Sequence, residues 1–94
     1  MEIKIDSKAE KFIKSKGENS IAVWLEGCSS WGTSEPIPSV RMGKPDNMDE
    51  YNHYKVGDID VYVKSNVIAK DDELRIKCVK LLWKEKLVVE GMAY

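Results

Sequence analysis

Ile21-Ala22-Val23-Trp24-Leu25-Glu26-Gly27-Cys28-Ser29-Ser30-Trp31-Gly32 is the stretch on which the fold turns. Its first half alternates. Ile21, Val23 and Leu25 fall on one face and Ala22 and Trp24 on the other, which is the period of a β-strand. Its second half ends that strand with two glycines and two serines. Glycine admits tight turns and lets a ligand come close to the backbone. Ser29, Ser30 and the loop amides can donate hydrogen bonds to a thiolate at Cys28, and each such bond lowers the cysteine's pKa. Cys28 is therefore a candidate reactive thiol or metal ligand, with Gly27, Ser29, Ser30, Trp31 and Gly32 as its supporting loop. The plainer alternative is an unreactive thiol in a surface turn.

On the N-terminal side, Glu2 to Ile5 alternates as a short strand does. Ser7-Lys8-Ala9-Glu10 has the form of a capping box. Ala9, Phe12 and Ile13 follow at helical spacing, so a helix is expected over Ser7 to Lys16, with Gly17 stopping it. On the C-terminal side, Pro36 and Pro38 suit an edge strand, continued by Val40 and Met42 until Gly43-Lys44-Pro45-Asp46-Asn47 breaks it.

Tyr51 to Val56 and Ile59 to Lys64 flank Gly57-Asp58, a hairpin whose leading glycine suits a type II′ turn. Ile59, Val61 and Val63 make its buried face. Ser65 to Asp72 is open between a loop and a short helical turn. Glu73 to Leu81 alternates again, with Leu74, Ile76 and Cys78 opposite Glu73, Arg75 and Lys77. Trp83-Lys84-Glu85-Lys86 reads as a turn and Leu87-Val88-Val89 as the last strand. The expected fold is mostly β (α+β): an antiparallel sandwich or open barrel with one N-terminal helix packed on it.

A chain of 94 residues fits a single domain, 1–94, and is too short for two. An apolar fraction of 43% with 33% charged residues places it among folded globular proteins. Fifteen basic and sixteen acidic residues nearly cancel, so no long-range field gathers phosphates, and nucleic acid is not an expected partner. The apolar run Ile21 to Leu25 falls far short of the roughly 20 residues of a membrane span. The opening residues lack the basic and apolar regions of a secretory signal. A cytoplasmic protein with no membrane partner is expected, its two cysteines kept as thiols.

Several strings resemble the HesB-like, or A-type iron–sulfur carrier, family. Ile3-Lys4-Ile5-Asp6-Ser7-Lys8-Ala9 resembles its opening strand and helix start. Leu25-Glu26-Gly27-Cys28-Ser29-Ser30-Trp31-Gly32 resembles its Gly-Cys-Ser-Gly-aromatic loop, and Val56-Gly57-Asp58-Ile59-Asp60-Val61-Tyr62-Val63 its glycine followed by an apolar strand. The resemblance implies a HesB-like sandwich and a role near iron–sulfur biogenesis, with iron or an iron–sulfur cluster as the implied cofactor.

The departure from that family is as informative. Its carriers have a third and second cysteine in a C-terminal Cys-x-Cys pair, whereas this chain ends Val88-Val89-Glu90-Gly91-Met92-Ala93-Tyr94. A branch of small HesB-like proteins is also similar; it carries Cys-Cys or Cys-selenocysteine in the equivalent loop. In that alignment Ser29 takes the second chalcogen's place, and a hydroxyl cannot complete thiol–disulfide exchange.

Outside the loop, Cys78 reads as a small core residue or, if the sheet brings it to Cys28, as half of a two-thiol site. His53 reads as a partly exposed strand residue or as a ligand or base. Trp24 and Trp83 are expected to pack in the core or on a sheet face, and Trp31 to serve function or an interface. Asp71-Asp72-Glu73 reads as a solvated turn, and Gly43-Lys44 lacks the frame of a phosphate loop. The functions expected are a metal- or thiol-binding accessory protein acting through Cys28, an interaction module that kept only the fold, or a thiol redox protein. A protein partner or a homo-oligomer is compatible with each, and no acid–base pair marks an enzyme.

Overall fold

In the computed structural model the description covers residues 1–26 and 37–93. β1 (Glu2–Ile5) leads into α1 (Ser7–Ser15), followed by β2 (Ser20–Glu26) and β3 (Ile37–Met42). β4 (Tyr51–Val56) and β5 (Ile59–Lys64) form the next hairpin. A short β6 (Ile68–Ala69), β7 (Glu73–Leu81), β8 (Lys84–Glu90) and a short β9 (Met92–Ala93) complete the chain. Within the described residues, no helix is long and apolar enough to cross a membrane.

The helix starts at Ser7 as expected, but Ser7 is its first residue and not its cap. Asp6 is the N-cap: its backbone is extended, and its carboxylate accepts from the Ser7 amide at 3.0 Å. Glu10, freed from that role, pairs with Lys14 one turn on, at 3.0 Å. The C-terminus closes as the sequence implies, Gly17 donating to the Lys14 carbonyl and Glu18 to that of Ile13. These are the two bonds of a Schellman motif, which satisfy carbonyls the helix leaves free. Ala9 and Ile13, one turn apart, are fully buried against the sheet.

Two hairpins lie side by side in the larger sheet, in the order β3-β2-β5-β4. Each hairpin is antiparallel, and their inner strands β2 and β5 run parallel, with Ala22 opposite Tyr62. β1 also runs parallel to β7, in a second sheet ordered β1-β7-β8. The ladders are thus mixed where the sequence suggested antiparallel pairing throughout. Strand alternation sets which face is buried but does not set the direction of a neighbour.

The inner strands carry the core: Ile21 and Val23 from β2, and Ile59, Val61 and Val63 from β5, meet Leu74 and Ile76 of β7. Pro38 falls where a sheet tolerates it, on edge strand β3, and Pro36 lies outside the described residues. β3 lies beside β8 and joins the two sheets.

Both tight hairpins have two-residue loops. In β4–β5, Val56 pairs with Ile59 around Gly57-Asp58, and Gly57 takes φ +60°, as the first position of a type II′ turn requires. In β7–β8, Leu81 pairs with Lys84 around Leu82-Trp83. The turn expected at Trp83 to Lys86 is therefore shorter, and the last long strand starts at Lys84. Trp83, expected in the core or on a sheet face, stands 80% exposed at the hairpin tip. A tip residue points past the sheet, where no facing layer exists to cover it. Ser65 to Asp72 resolves into β6, paired with β9, and a turn in which Asp71 and Asp72 take positive φ.

Candidate functional site

In sequence Cys28 follows the end of β2 by two residues, and Glu26 opposite Ile37 is the last described pair of the β2–β3 ladder. Cys28, Gly27, Ser29, Ser30, Trp31 and Gly32 lie outside the described residues. The end of β2 is held from two sides. Ile21 and Val23 anchor β2 in the core, and Ser39 Oγ donates to the Ile37 carbonyl at 3.2 Å and to Glu26 at 3.5 Å.

Two cavities lie along β2 and β3, and Trp24 borders both. One, of about 210 Å³, is bounded by Trp24, Arg41 and Tyr51 with the Pro45–Asn47 turn folded over Ala22. The other, of about 510 Å³, runs between β3 and β8, from Pro38 and Val40 to Leu87 and Val88. Arg41 and Tyr51 were not singled out by sequence reasoning. Their signal is weak: both fall on the outward face of their strands, as surface residues do.

His53 sits half-exposed on β4. Its ring stacks on its cross-strand partner Tyr62, with centroids 5.0 Å apart, and Nε2 lies 2.8 Å from Asp60 Oδ1. Asp60 is two residues along β5, on the same face, which is why the contact forms. The pair fixes the imidazole, well away from the Glu26 end of β2. His53 is level with Ala22, two strands over, and Glu26 is four residues, or about 13 Å, further along β2.

Cys78 is neither fully buried nor free. It faces Leu87 on β8 and sits beneath α1, in a cavity shared with Lys8, Lys11, Phe12 and Lys80. Its thiol donates to Glu85 Oε2 at 3.5 Å. Burial, then the bond to and charge of that carboxylate, push the Cys78 pKa up. A raised pKa keeps the thiol protonated and weak as a ligand or nucleophile. Among the described residues, no three His, Cys, Asp or Glu side chains gather as a metal site.

The architecture is a HesB-like sandwich with one N-terminal helix. It is similar to the crystal structure of IscA with the [2Fe-2S] cluster, at a TM-score of 0.61 and 6% identity, over 95% of this chain and 84% of that one. At that identity the likeness is one of fold. The chain itself belongs to the CC/Se motif containing family, whose sequence model matches residues 1–92. No curated protein matches it.

A cluster resident in one chain does not fit this sequence. Such clusters are held mainly by thiolates, usually four. The whole chain has two cysteines, and the described one, Cys78, is held protonated by burial and Glu85.

Proposed function

We propose that this is a HesB-like accessory protein without enzymatic activity that acts through a single thiol, Cys28, binding a thiophilic metal such as iron as cargo. The observation that supports this most is the contrast between the two cysteines. Cys78 is tied to Glu85 under a helix, whereas Cys28 follows a core-anchored strand by two residues, in a stretch of sequence rich in glycine and serine. The family's description speaks of a CC/Se motif. Here Cys28 is followed by Ser29, which keeps a ligand and removes the resolving partner. Iron(II) binding and iodoacetamide labelling under anaerobic conditions test the reading. Both are expected to survive in Cys78→Ser; in Cys28→Ser metal binding is expected to vanish and labelling to fall to the slow rate of Cys78. Metal binding unchanged in Cys28→Ser overturns it. A second reading, an interaction module that kept the fold alone, draws support from the exposed apolar side chains of Ile37 and Ile68; it predicts that alkylating Cys28 leaves partner binding intact.

A further inference from the structure

The two tight hairpins solve the same backbone problem differently. Gly57 takes φ +60° at the tip of β4–β5, where glycine does so freely. Leu82 takes φ +60° at the tip of β7–β8, a conformation that disfavours a bulky L-residue. Leu82 gains no burial in return: it is 84% exposed, and Trp83 beside it 80%. Turn chemistry favours Gly, Asn or Asp here, so folding alone does not explain two large apolar residues held outward against the backbone's preference.

What surrounds the tip is cationic. Lys80 precedes it on β7, and Lys84 and Lys86 follow on β8. Alternation puts Lys80 on one face of the ribbon and Lys84 and Lys86 on the other. On the Lys80 side, Lys8 and Lys11 of α1 line the same cavity. Among the described residues none of these five lysines is ion-paired, and Glu85, the acid in their midst, accepts from Cys78. In a chain of net charge −1, this end carries a local excess of positive charge.

We propose that the β7–β8 tip is a membrane-contact finger, with Leu82 and Trp83 entering the interface of an anionic lipid bilayer and Lys80, Lys84 and Lys86 meeting its headgroups. Trp is at home at the bilayer interface, and a buried apolar edge reaches about 5–10 Å into it. Two or three residues of strand span that depth, which sets the lysines at headgroup level. Charge complementarity selects an anionic surface, each lysine near it contributing about fivefold in affinity. A protein partner fits less well, since a stable interface buries about 800 Å² on each side around an apolar centre. Here the centre is two side chains, with lysines on both faces of the ribbon behind them. The lack of a spanning helix bears on crossing a bilayer and leaves surface contact open.

The test is co-sedimentation of the full chain with vesicles of phosphatidylcholine alone and of phosphatidylcholine with phosphatidylglycerol. The variant Leu82→Gly/Trp83→Asn gives the tip the turn chemistry of Gly57-Asp58 and is expected to hold or raise the melting temperature. We expect binding to the anionic vesicles, at least tenfold weaker for that variant and also weakened in Lys80→Gln/Lys84→Gln/Lys86→Gln. No binding to anionic vesicles overturns the proposal, and so does equal binding by wild type and the tip variant, which marks adsorption by charge alone. Equal binding to neutral and anionic vesicles overturns the assignment of the lysines.

Discussion

Gly91→Ala is the substitution from which the structure predicts most. Gly91 turns the chain from β8 into β9, and its carbonyl accepts from the Lys70 amide. Its φ is +98°, and a Cβ built there lies 2.5 Å from the Glu73 carbonyl oxygen and 3.5 Å from Leu74 Cα. Gly43 supplies a matched control: its φ is +100°, but nothing lies within 4 Å of its Cβ position. Gly43→Ala should therefore cost the conformational penalty alone, about 1–2 kcal/mol. Gly91→Ala carries that penalty and must also push back the first residues of β7, which pair with β1. Overpacking of this kind adds about 1–3 kcal/mol. A domain of this size has about 5–14 kcal/mol in all, so the double cost is a large share. Urea unfolding followed by circular dichroism measures both variants. Thermal melts should place Gly91→Ala roughly 10 °C below Gly43→Ala. If the two fall within about 0.5 kcal/mol of each other, the close approach of the Gly91 corner to Glu73 is refuted.

Asp6→Ala should cost about 1 kcal/mol, while Ser7→Ala should be near neutral, because Asp6 caps α1; the reverse order in urea titrations would restore the cap to Ser7. In a Cys28→Ser background, Glu85→Gln removes the carboxylate that helps hold the Cys78 pKa up, so iodoacetamide should label Cys78 faster at neutral pH; an unchanged rate removes Glu85 from that role. Arg75 and Lys4 hold the Glu73 pKa below its usual value of 4.5, and Lys77 does the same for Glu90. A lowered folded-state pKa gives stability that is present above the unfolded value and lost as pH falls through the folded one. Arg75→Gln should thus show a smaller fall in Tm than wild type between about pH 5.5 and about pH 3, and a fall of equal size would show that the Arg75–Glu73 pair does not contribute to acid sensitivity.

The sequence exposed those features that depend on local period and turn chemistry. Ile59, Val61 and Val63 alternate with polar residues and are buried as that alternation requires. Gly57-Asp58 marks its hairpin, and Pro38 marks an edge. Features that depend on distant partners stayed hidden. Nothing near Ile3 says that it lies beside Leu74 in a parallel ladder. Trp83 carries a core residue's chemistry on a tip, so composition pointed inward while topology pointed outward. The His53–Asp60 contact follows from hairpin register, readable only once the Gly57-Asp58 turn is fixed. For the candidate site, the sequence singled out Cys28, which lies outside the described residues, and the structure adds the anchored strand that precedes it and the Glu85 bond that keeps the Cys78 thiol weakly reactive.

The pairing of β1 with β7 bears on how the molecule is made. Glu2 finds its partner Glu73 about seventy residues later, so the smaller sheet cannot close until β7 has left the ribosome. Parallel partners so far apart carry a large loop-closure entropy, and folds rich in such contacts form slowly. The larger sheet draws its strands from residues 20–64 and can assemble first. During synthesis the first strand thus waits with its edge unpaired, and chaperone dependence of the nascent chain should centre on that interval.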